Sequence, residues 1–248
     1  MKLKTRIDKL VFDRGFASSQ EHARGYIMAG KVLVNEQKID KPGTKFPDNV
    51  TIRVMGEEQP FVSRGGLKLK KALLSFDIDV QNKIVMDVGA STGGFTDCLL
   101  QNGASYVFAV DTGFNQLAWK LVNDHRVRNL EKSNFRYLEL KDIGSFVDLI
   151  VIDVSFISLT KILPNCWNFL IKGGDIIALI KPQFEAGKKD IQKGGIVTDS
   201  EIRQQIIESI KEQSKNWGYL PQKVDSSPIQ GKKSGNEEFL LHLIKPGS

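Results

Sequence analysis

The stretch Ile84-Val85-Met86-Asp87-Val88, followed by Gly89-Ala90-Ser91-Thr92-Gly93-Gly94-Phe95, constrains the fold of this chain more than any other. A short apolar run has the length of a strand buried on both faces, and the glycines behind it mark a tight turn before a helix. Further apolar strands are expected at 107–111, 147–153 and 175–180, with helical patterns at 95–101, 116–123 and 159–169. Such alternation predicts an α/β fold, a parallel sheet of Rossmann-like type with helices on both faces. A helix over 200–215 and two last strands near 223–225 and 239–243, placed as an antiparallel edge pair, complete the pattern.

The first sixty residues read differently. Ser18 and Ser19 precede a helical stretch over 20–28, which Ala29-Gly30 ends. Lys31-Val32-Leu33-Val34 is a short strand, Asn35-Glu36 a turn, and 49–54 a second strand after Pro42, Gly43 and Pro47. This predicts a small α+β domain over 1–58, a linker over 59–66 and a large domain over 67–248. Charge is divided in the same way. The chain carries +6 overall, yet residues 1–71 hold 15 Lys/Arg against 8 Asp/Glu, and the remainder holds 20 against 21. A positive excess confined to one small domain points to a polyanion partner, nucleic acid above all.

Several classes are disfavoured at once. No run approaches the roughly 18 to 20 apolar residues that span a bilayer. Residues 1–10 are basic with no apolar stretch behind them, so a secretion signal is not expected. Cys98 and Cys166 show no metal-ligand spacing and are expected to sit reduced in or near a core, with no metal bound. A cytoplasmic location is the expectation that follows.

The glycine turn lets a ligand approach the backbone closely, in the crevice outside the strand ends. Asp87, Gly89, Ala90, Ser91, Gly93, Gly94 and Phe95 are the candidate lining. On their own, Asp87, Gly93 and Gly94 need do no more than cap a helix and fit a tight turn. The spacing is not G-x-G-x-x-G, and the Lys-Ser/Thr of a phosphate-binding loop is missing, so the ligand is expected to lack a pyrophosphate. Asp111 ends the next strand, where a carboxylate accepts both hydroxyls of a ribose. Asn134 stands in a later loop, placed to hydrogen-bond an adenine edge. Together these favour S-adenosylmethionine (S-adenosyl-L-methionine) as the cofactor.

Asp153 closes the strand over 147–153, and Lys181 closes the strand over 175–180. Strand ends on one edge of a parallel sheet converge, so this carboxylate and ammonium are expected to meet. A purely structural ion pair is the plain alternative. Lys68, Lys70 and Lys71 follow Ser63-Arg64-Gly65-Gly66, and the simplest reading is a solvated or phosphate-facing helix. Glu237 and Glu238 open the last strand on opposite faces, so only one of them looks inward.

With these blocks in order, the chain closely resembles the TlyA-type proteins, often labelled hemolysin A. These join an S-four-type RNA-binding domain to an FtsJ-like methyltransferase domain. In the small domain the resemblance rests on Arg6-Ile7-Asp8, the helix start over 18–23 and Gly30-Lys31-Val32-Leu33-Val34-Asn35. In the large domain it rests on Val62-Ser63-Arg64-Gly65-Gly66, the 87–95 block, Asp153-Val154-Ser155-Phe156-Ile157-Ser158-Leu159, Lys181-Pro182-Gln183-Phe184-Glu185, Ser227-Pro228-Ile229 and Gly235-Asn236-x-Glu238-Phe239. Gln59-Pro60-Phe61 stands where the family often has Arg-x-Trp.

The resemblance implies a Lys-Asp-Lys-Glu catalytic tetrad on Lys68, Asp153, Lys181 and Glu238. It implies S-adenosylmethionine-dependent methylation of a ribose 2′-hydroxyl, at a cytidine of ribosomal RNA, with the RNA or a ribosomal subunit as partner. Lys181 would remove or polarise the hydroxyl proton, because a free ribose hydroxyl is a weak nucleophile. Asp153 would position Lys181 and itself lie near the sulfonium of the cofactor, while Lys68 and Glu238 hold the ribose and tune the lysine's charge. Arg6, Arg24, Lys31 and Arg64 are the candidate phosphate contacts. Two rivals stand beside this reading. A non-catalytic RNA-binding or ribosome-assembly factor would not need all four tetrad positions. A membrane-lytic protein would need an export signal or a long apolar or amphipathic segment, which the sequence does not show.

Overall fold

The structure, a computed structural model, describes residues 4–17, 19–55, 60–229 and 235–247. The chain divides into two compact units, Met1–Pro60 with Pro228–Gln230 and Phe61–Ser227 with Gly231–Ser248.

The first unit holds β1 (Lys4–Arg6), α1 (Ile7–Asp13), α2 (Gln20–Met28), β2 (Val32–Val34), β3 (Gln37–Ile39), β4 (Lys45–Pro47) and β5 (Ile52–Val54). Ser19 caps α2 by accepting the His22 N–H at 3.0 Å, whereas Ser18 lies outside the described residues. The helix buries Ala23 and Ile27, one turn apart, against Ile7, Val11, Val32, Val34 and Ile52. Asn35 and Glu36, at φ 49° and 65°, form the two-residue turn that sends β2 back along β3. Neither β3 nor β4 was expected. Each has only three residues and presents mostly exposed or half-buried side chains, so hydrophobic alternation is too short to see.

The second unit begins ahead of its first helix, since Phe61 is buried against Gly66, where a Cβ would fall 2.3 Å from the ring. Its elements are α3 (Gly65–Phe76), β6 (Ile84–Val88), α4 (Gly94–Gln101), β7 (Tyr106–Val110), α5 (Trp119–Val122), β8 (Val127–Leu130), α6 (Leu140–Ile143), β9 (Val147–Ile152), α7 (Leu163–Cys166), β10 (Leu170–Ile180), α8 (Pro182–Glu185), α9 (Ser200–Asn216), β11 (Leu220–Ser226) and β12 (Phe239–Ile244). The seven-stranded sheet runs β11-β12-β10-β9-β6-β7-β8. Strands β6 to β10 pair in parallel, and β12 pairs antiparallel with both β10 and β11. The last two strands thus form the expected antiparallel pair, with β11 alone at the edge.

Alternate residues of the central strands feed two cores. Met86, Val88, Ile150, Ile152, Ile176 and Ala178 face one way, and Val85, Leu149, Val151, Ile177 and Leu179 the other, under α3 and α4. Both cysteines are buried and unpaired.

Two expected helices are shorter than their patterns. Over 116–123 only Trp119–Val122 is helical, because Ala118 is extended (φ −58°, ψ 137°) and gives its N–H to the Thr92 carbonyl. Over 159–169 a 3₁₀ turn at Leu159–Lys161 precedes α7, since Pro164 has no N–H with which to continue the ladder. Strand β6 pairs with β7 on one side and β9 on the other, which makes the β6/β9 boundary the point where strand order reverses. In open α/β sheets ligands bind outside the strand ends at such a point.

Candidate active site

The carboxyl ends of β6, β7 and β9 gather three acids. Asp87 is fully buried and accepts a hydrogen bond from Thr96 Oγ1 at 2.7 Å, while its Oδ1 has no hydrogen-bond partner. Burial pushes its carboxyl up to about 7; the Thr96 hydrogen bond opposes the rise, and the charges of Asp153 and Asp111 add to it. Asp111, just past β7, accepts the Ser91 N–H at 2.8 Å and the Gly113 N–H at 2.7 Å. It is thereby bolted to the glycine turn.

That turn packs directly onto the end of β9. At Gly89, with φ +88°, a Cβ would lie 2.6 Å from the Asp153 carbonyl oxygen, so only glycine fits. Gly93 has φ +94° and lies under Leu117 and Leu121, which explains why the residues before α5 follow the turn instead of continuing a helix.

Beyond the turn, four charged groups alternate in sign. Lys181 Nζ lies 2.6 Å from Asp153 Oδ1, Lys68 Nζ lies 3.8 Å from Asp153 Oδ2, and Lys68 Nζ donates to Glu238 Oε2 at 2.6 Å. Their side chains are 3–19% exposed, so each charge is compensated by its neighbours rather than by bulk water. Lys181 also donates to Ser155 Oγ at 2.9 Å. An ammonium held by a carboxylate and a hydroxyl just past the end of β10 has the geometry to engage an incoming hydroxyl group.

Residues 61–245 match the FtsJ-like methyltransferase family, and residues 5–52 match the S4 domain. The chain belongs to the FtsJ-like methyltransferase family. The 16S/23S rRNA (cytidine-2′-O)-methyltransferase TlyA of Mycobacterium tuberculosis is 41% identical over 98% of this chain and 91% of its own length. Hemolysin A of Brachyspira hyodysenteriae is 42% identical over 96% of this chain and 99% of its own. A solved structure from Streptococcus thermophilus, provisionally described as a hemolysin, superposes with a TM-score of 0.76 at 47% identity, covering 100% of this chain and 90% of that one.

In this FtsJ-like methyltransferase, Lys68, Asp153, Lys181 and Glu238 come together from α3, β9, β10 and the entry to β12. Lys68 departs from the solvated helix face that the lysine run suggested. It is buried, whereas Lys70 is exposed and Lys71 pairs with Asp225 at 3.1 Å, because the three lysines leave the helix on different faces. Glu237 turns away to Arg203 at 3.2 Å, which leaves Glu238 as the inward acid of the pair.

The other predicted residues are placed less uniformly. Ala90 is buried beneath the turn, and Ser91 is exposed with φ 48°. Gly94 must stay small because a Cβ there would meet Ser63 Oγ at 2.2 Å. Phe95 is 3% exposed with its ring toward Gly65, so the side chain supports the turn from behind and leaves only backbone to a ligand. Asn134 accepts the Arg136 N–H at 3.2 Å at the start of a 3₁₀ turn. It follows Ser133, whose N–H binds the Asp111 carbonyl. Arg64 is the backbone N-cap of α3.

Three residues were not singled out. Ser155 holds Lys181. Glu185 accepts Ser158 Oγ at 2.6 Å and the Leu159 N–H at 2.8 Å, which ties the loop after Asp153 to α8, the helix that follows Lys181. Burial raises the Glu185 carboxyl, and those two hydrogen bonds oppose the rise. Phe156 is 88% exposed at φ 64°, with its ring 5.1 Å from Phe184. All three lie within sequence blocks already noted; what sequence lacks is the contact between the blocks.

Proposed function

We propose that this protein transfers a methyl group from S-adenosylmethionine to the 2′-hydroxyl of a cytidine in ribosomal RNA. The observation that carries the reading is the alternating Lys181–Asp153–Lys68–Glu238 array beside the glycine turn. The relative from M. tuberculosis is named for that reaction. The donor site fits the cofactor on its own chemistry. Asp111 and Asp153 supply carboxylates, Asp87 keeps a buried oxygen without a partner, and Gly89 leaves a cradle that a Cβ would fill. S-adenosylmethionine is cationic at its sulfonium and amine, and when bound it supplies an electrophilic methyl carbon.

Asp111 would accept the ribose hydroxyls of the cofactor, and Asn134 would address its adenine edge. As the neutral amine Lys181 would accept the proton of the substrate 2′-hydroxyl, and as the ammonium it would instead donate to that oxygen and stabilise the charge developing there. Asp153 and Ser155 fix the direction of that ammonium. Lys68, held by Glu238, stabilises negative charge developing on the ribose oxygen. Phe156 offers a solvated aromatic face on which a nucleobase can stack. Arg6, Arg24, Lys31 and Arg64 are the proposed phosphate contacts; Lys31 is exposed, 5.9 Å over the Tyr26 ring. Among the described residues no helix is long and apolar enough to cross a membrane; cytoplasmic action is proposed on the ground of the ribosomal RNA substrate.

The test is transfer of labelled methyl to separated, unmodified ribosomal subunits by wild type and by Lys181→Ala. Label on a subunit, lost in the variant while cofactor binding persists, supports the reading. Equal transfer by both proteins contradicts the role of Lys181. Cofactor binding without transfer to either subunit favours the non-catalytic ribosome-assembly reading.

A further inference from the structure

Asp8 plays no part in the chemistry above, yet it is a fully buried carboxylate in a unit rich in exposed cations. It sits in the first turn of α1 and is engaged on both oxygens. Arg6 donates Nε to Oδ1 at 3.0 Å and Nη2 to Oδ2 at 2.8 Å. Arg24, from α2, donates Nε to the same Oδ2 at 3.0 Å, and the Lys9 N–H reaches Oδ1 at 2.9 Å. The two arginine side chains that cover the acid are 46% and 51% exposed. Arg6 above all, helped by Arg24, holds the Asp8 carboxyl well below the usual carboxylate range against the opposing effect of desolvation.

The arrangement orients both guanidiniums. Each gives its Nε edge to Asp8, so each keeps outer N–H groups to offer elsewhere. No hydrogen-bond partner is seen for Arg6 Nη1 or for either Nη of Arg24 among the described residues. Arg6 Nη1 lies over Gly43, where even an added Cβ would stand 3.7 Å away. Guanidinium forks match phosphate oxygens in plane and spacing, and a long side chain already fixed by folding loses little freedom on binding.

We propose that Asp8 is a positioning residue for RNA: it fixes Arg6 and Arg24 as one outward fork that takes a backbone phosphodiester. This rests on the reading of the first unit as RNA-binding. Charge alone makes the opposite prediction, because Asp8 cancels one of the two positive charges and its removal should strengthen attraction to RNA.

The experiment measures binding of a labelled RNA hairpin to the full chain across a salt series, for wild type, Asp8→Asn, Arg6→Lys and Arg24→Lys, with thermal melting as the folding control. Positioning predicts that Asp8→Asn binds roughly tenfold more weakly although it gains a positive charge, the cost of ordering two long side chains at the moment of binding. The slope of log K against log salt should become shallower by about one phosphate contact. Arg6→Lys and Arg24→Lys keep the charge and leave Asp8 a partner, so they test the fork even if Asp8→Asn proves unstable; both should weaken binding. Unchanged or tighter binding by Asp8→Asn, or lysine variants equal to wild type, overturns the proposal. No hairpin binding by wild type overturns the RNA-binding reading itself, and the proposal with it.

Discussion

Lys181 Nζ stands 2.6 Å from Asp153 Oδ1, and the other oxygen of the same carboxylate is 3.8 Å from Lys68 Nζ, so one acid serves two buried ammonium groups. Asp153→Asn leaves both without their shared counter-charge. Stability should fall by about 3 kcal/mol, the scale for breaking a buried pair, and methyl transfer by at least ~100-fold. Adding Lys181→Met to Asp153→Asn should recover part of the stability and none of the activity. Thermal melts beside single-turnover transfer check this; activity returning together with stability would make the pair merely structural.

Glu185 acts at a distance from the chemistry by clamping the loop after Asp153 to α8. Glu185→Ala leaves the Leu159 N–H without its acceptor, at a cost of about 1–3 kcal/mol. Because the clamp sets where Asp153 and Lys181 meet, kcat should fall about tenfold or more while cofactor affinity stays within a few-fold of wild type. Isothermal titration with S-adenosylmethionine and steady-state kinetics separate the two effects. A loss confined to cofactor affinity would contradict the clamp.

Gly89→Ala places a methyl group 2.6 Å from the Asp153 carbonyl in a left-handed backbone. The strain, of order 1–3 kcal/mol, falls on the junction between the glycine turn and β9. Cofactor affinity and transfer should fall together, unlike the split expected at Glu185. Binding isotherms and transfer rates on one preparation check this.

Asp87 gives the ligand-free protein a pH dependence. Its folded carboxyl, near 7, lies above the ordinary value of 3.8, so the folded chain holds a proton that the unfolded chain releases. The stabilising contribution is full below the unfolded value and is lost as pH rises through about 7. Melting temperature should therefore decline between about pH 4 and 7 through this group, and Asp87→Asn should flatten that decline. A wild-type slope that survives in the variant would place its origin elsewhere.

The sheet was legible because its strands are apolar runs closed by turn residues: Ile84–Val88, Val147–Ile152 and the pair β11/β12 fall close to where their sequences put them. Lys181 and Asp153 could be brought together from topology alone, since parallel strand ends share an edge. Lys68 could not be chosen from three lysines by charge or period; the family resemblance singled it out, and its burial and its contact with Glu238, 170 residues away, separate it from Lys70 and Lys71. The same limit hid Glu185 and Asp8, whose importance lies in what they touch. The small strands β3 and β4 stayed hidden because three residues apiece are too few to show a period.

A methyl group on a ribose oxygen of ribosomal RNA is the product expected of this site. The most direct measurement is mass spectrometry of nucleosides from subunits that lack the modification, after incubation with the protein and S-adenosylmethionine. 2′-O-methylcytidine should appear with wild type and be missing with Lys181→Ala. Methyl on a base, or methylated nucleoside formed equally by the variant, would contradict it.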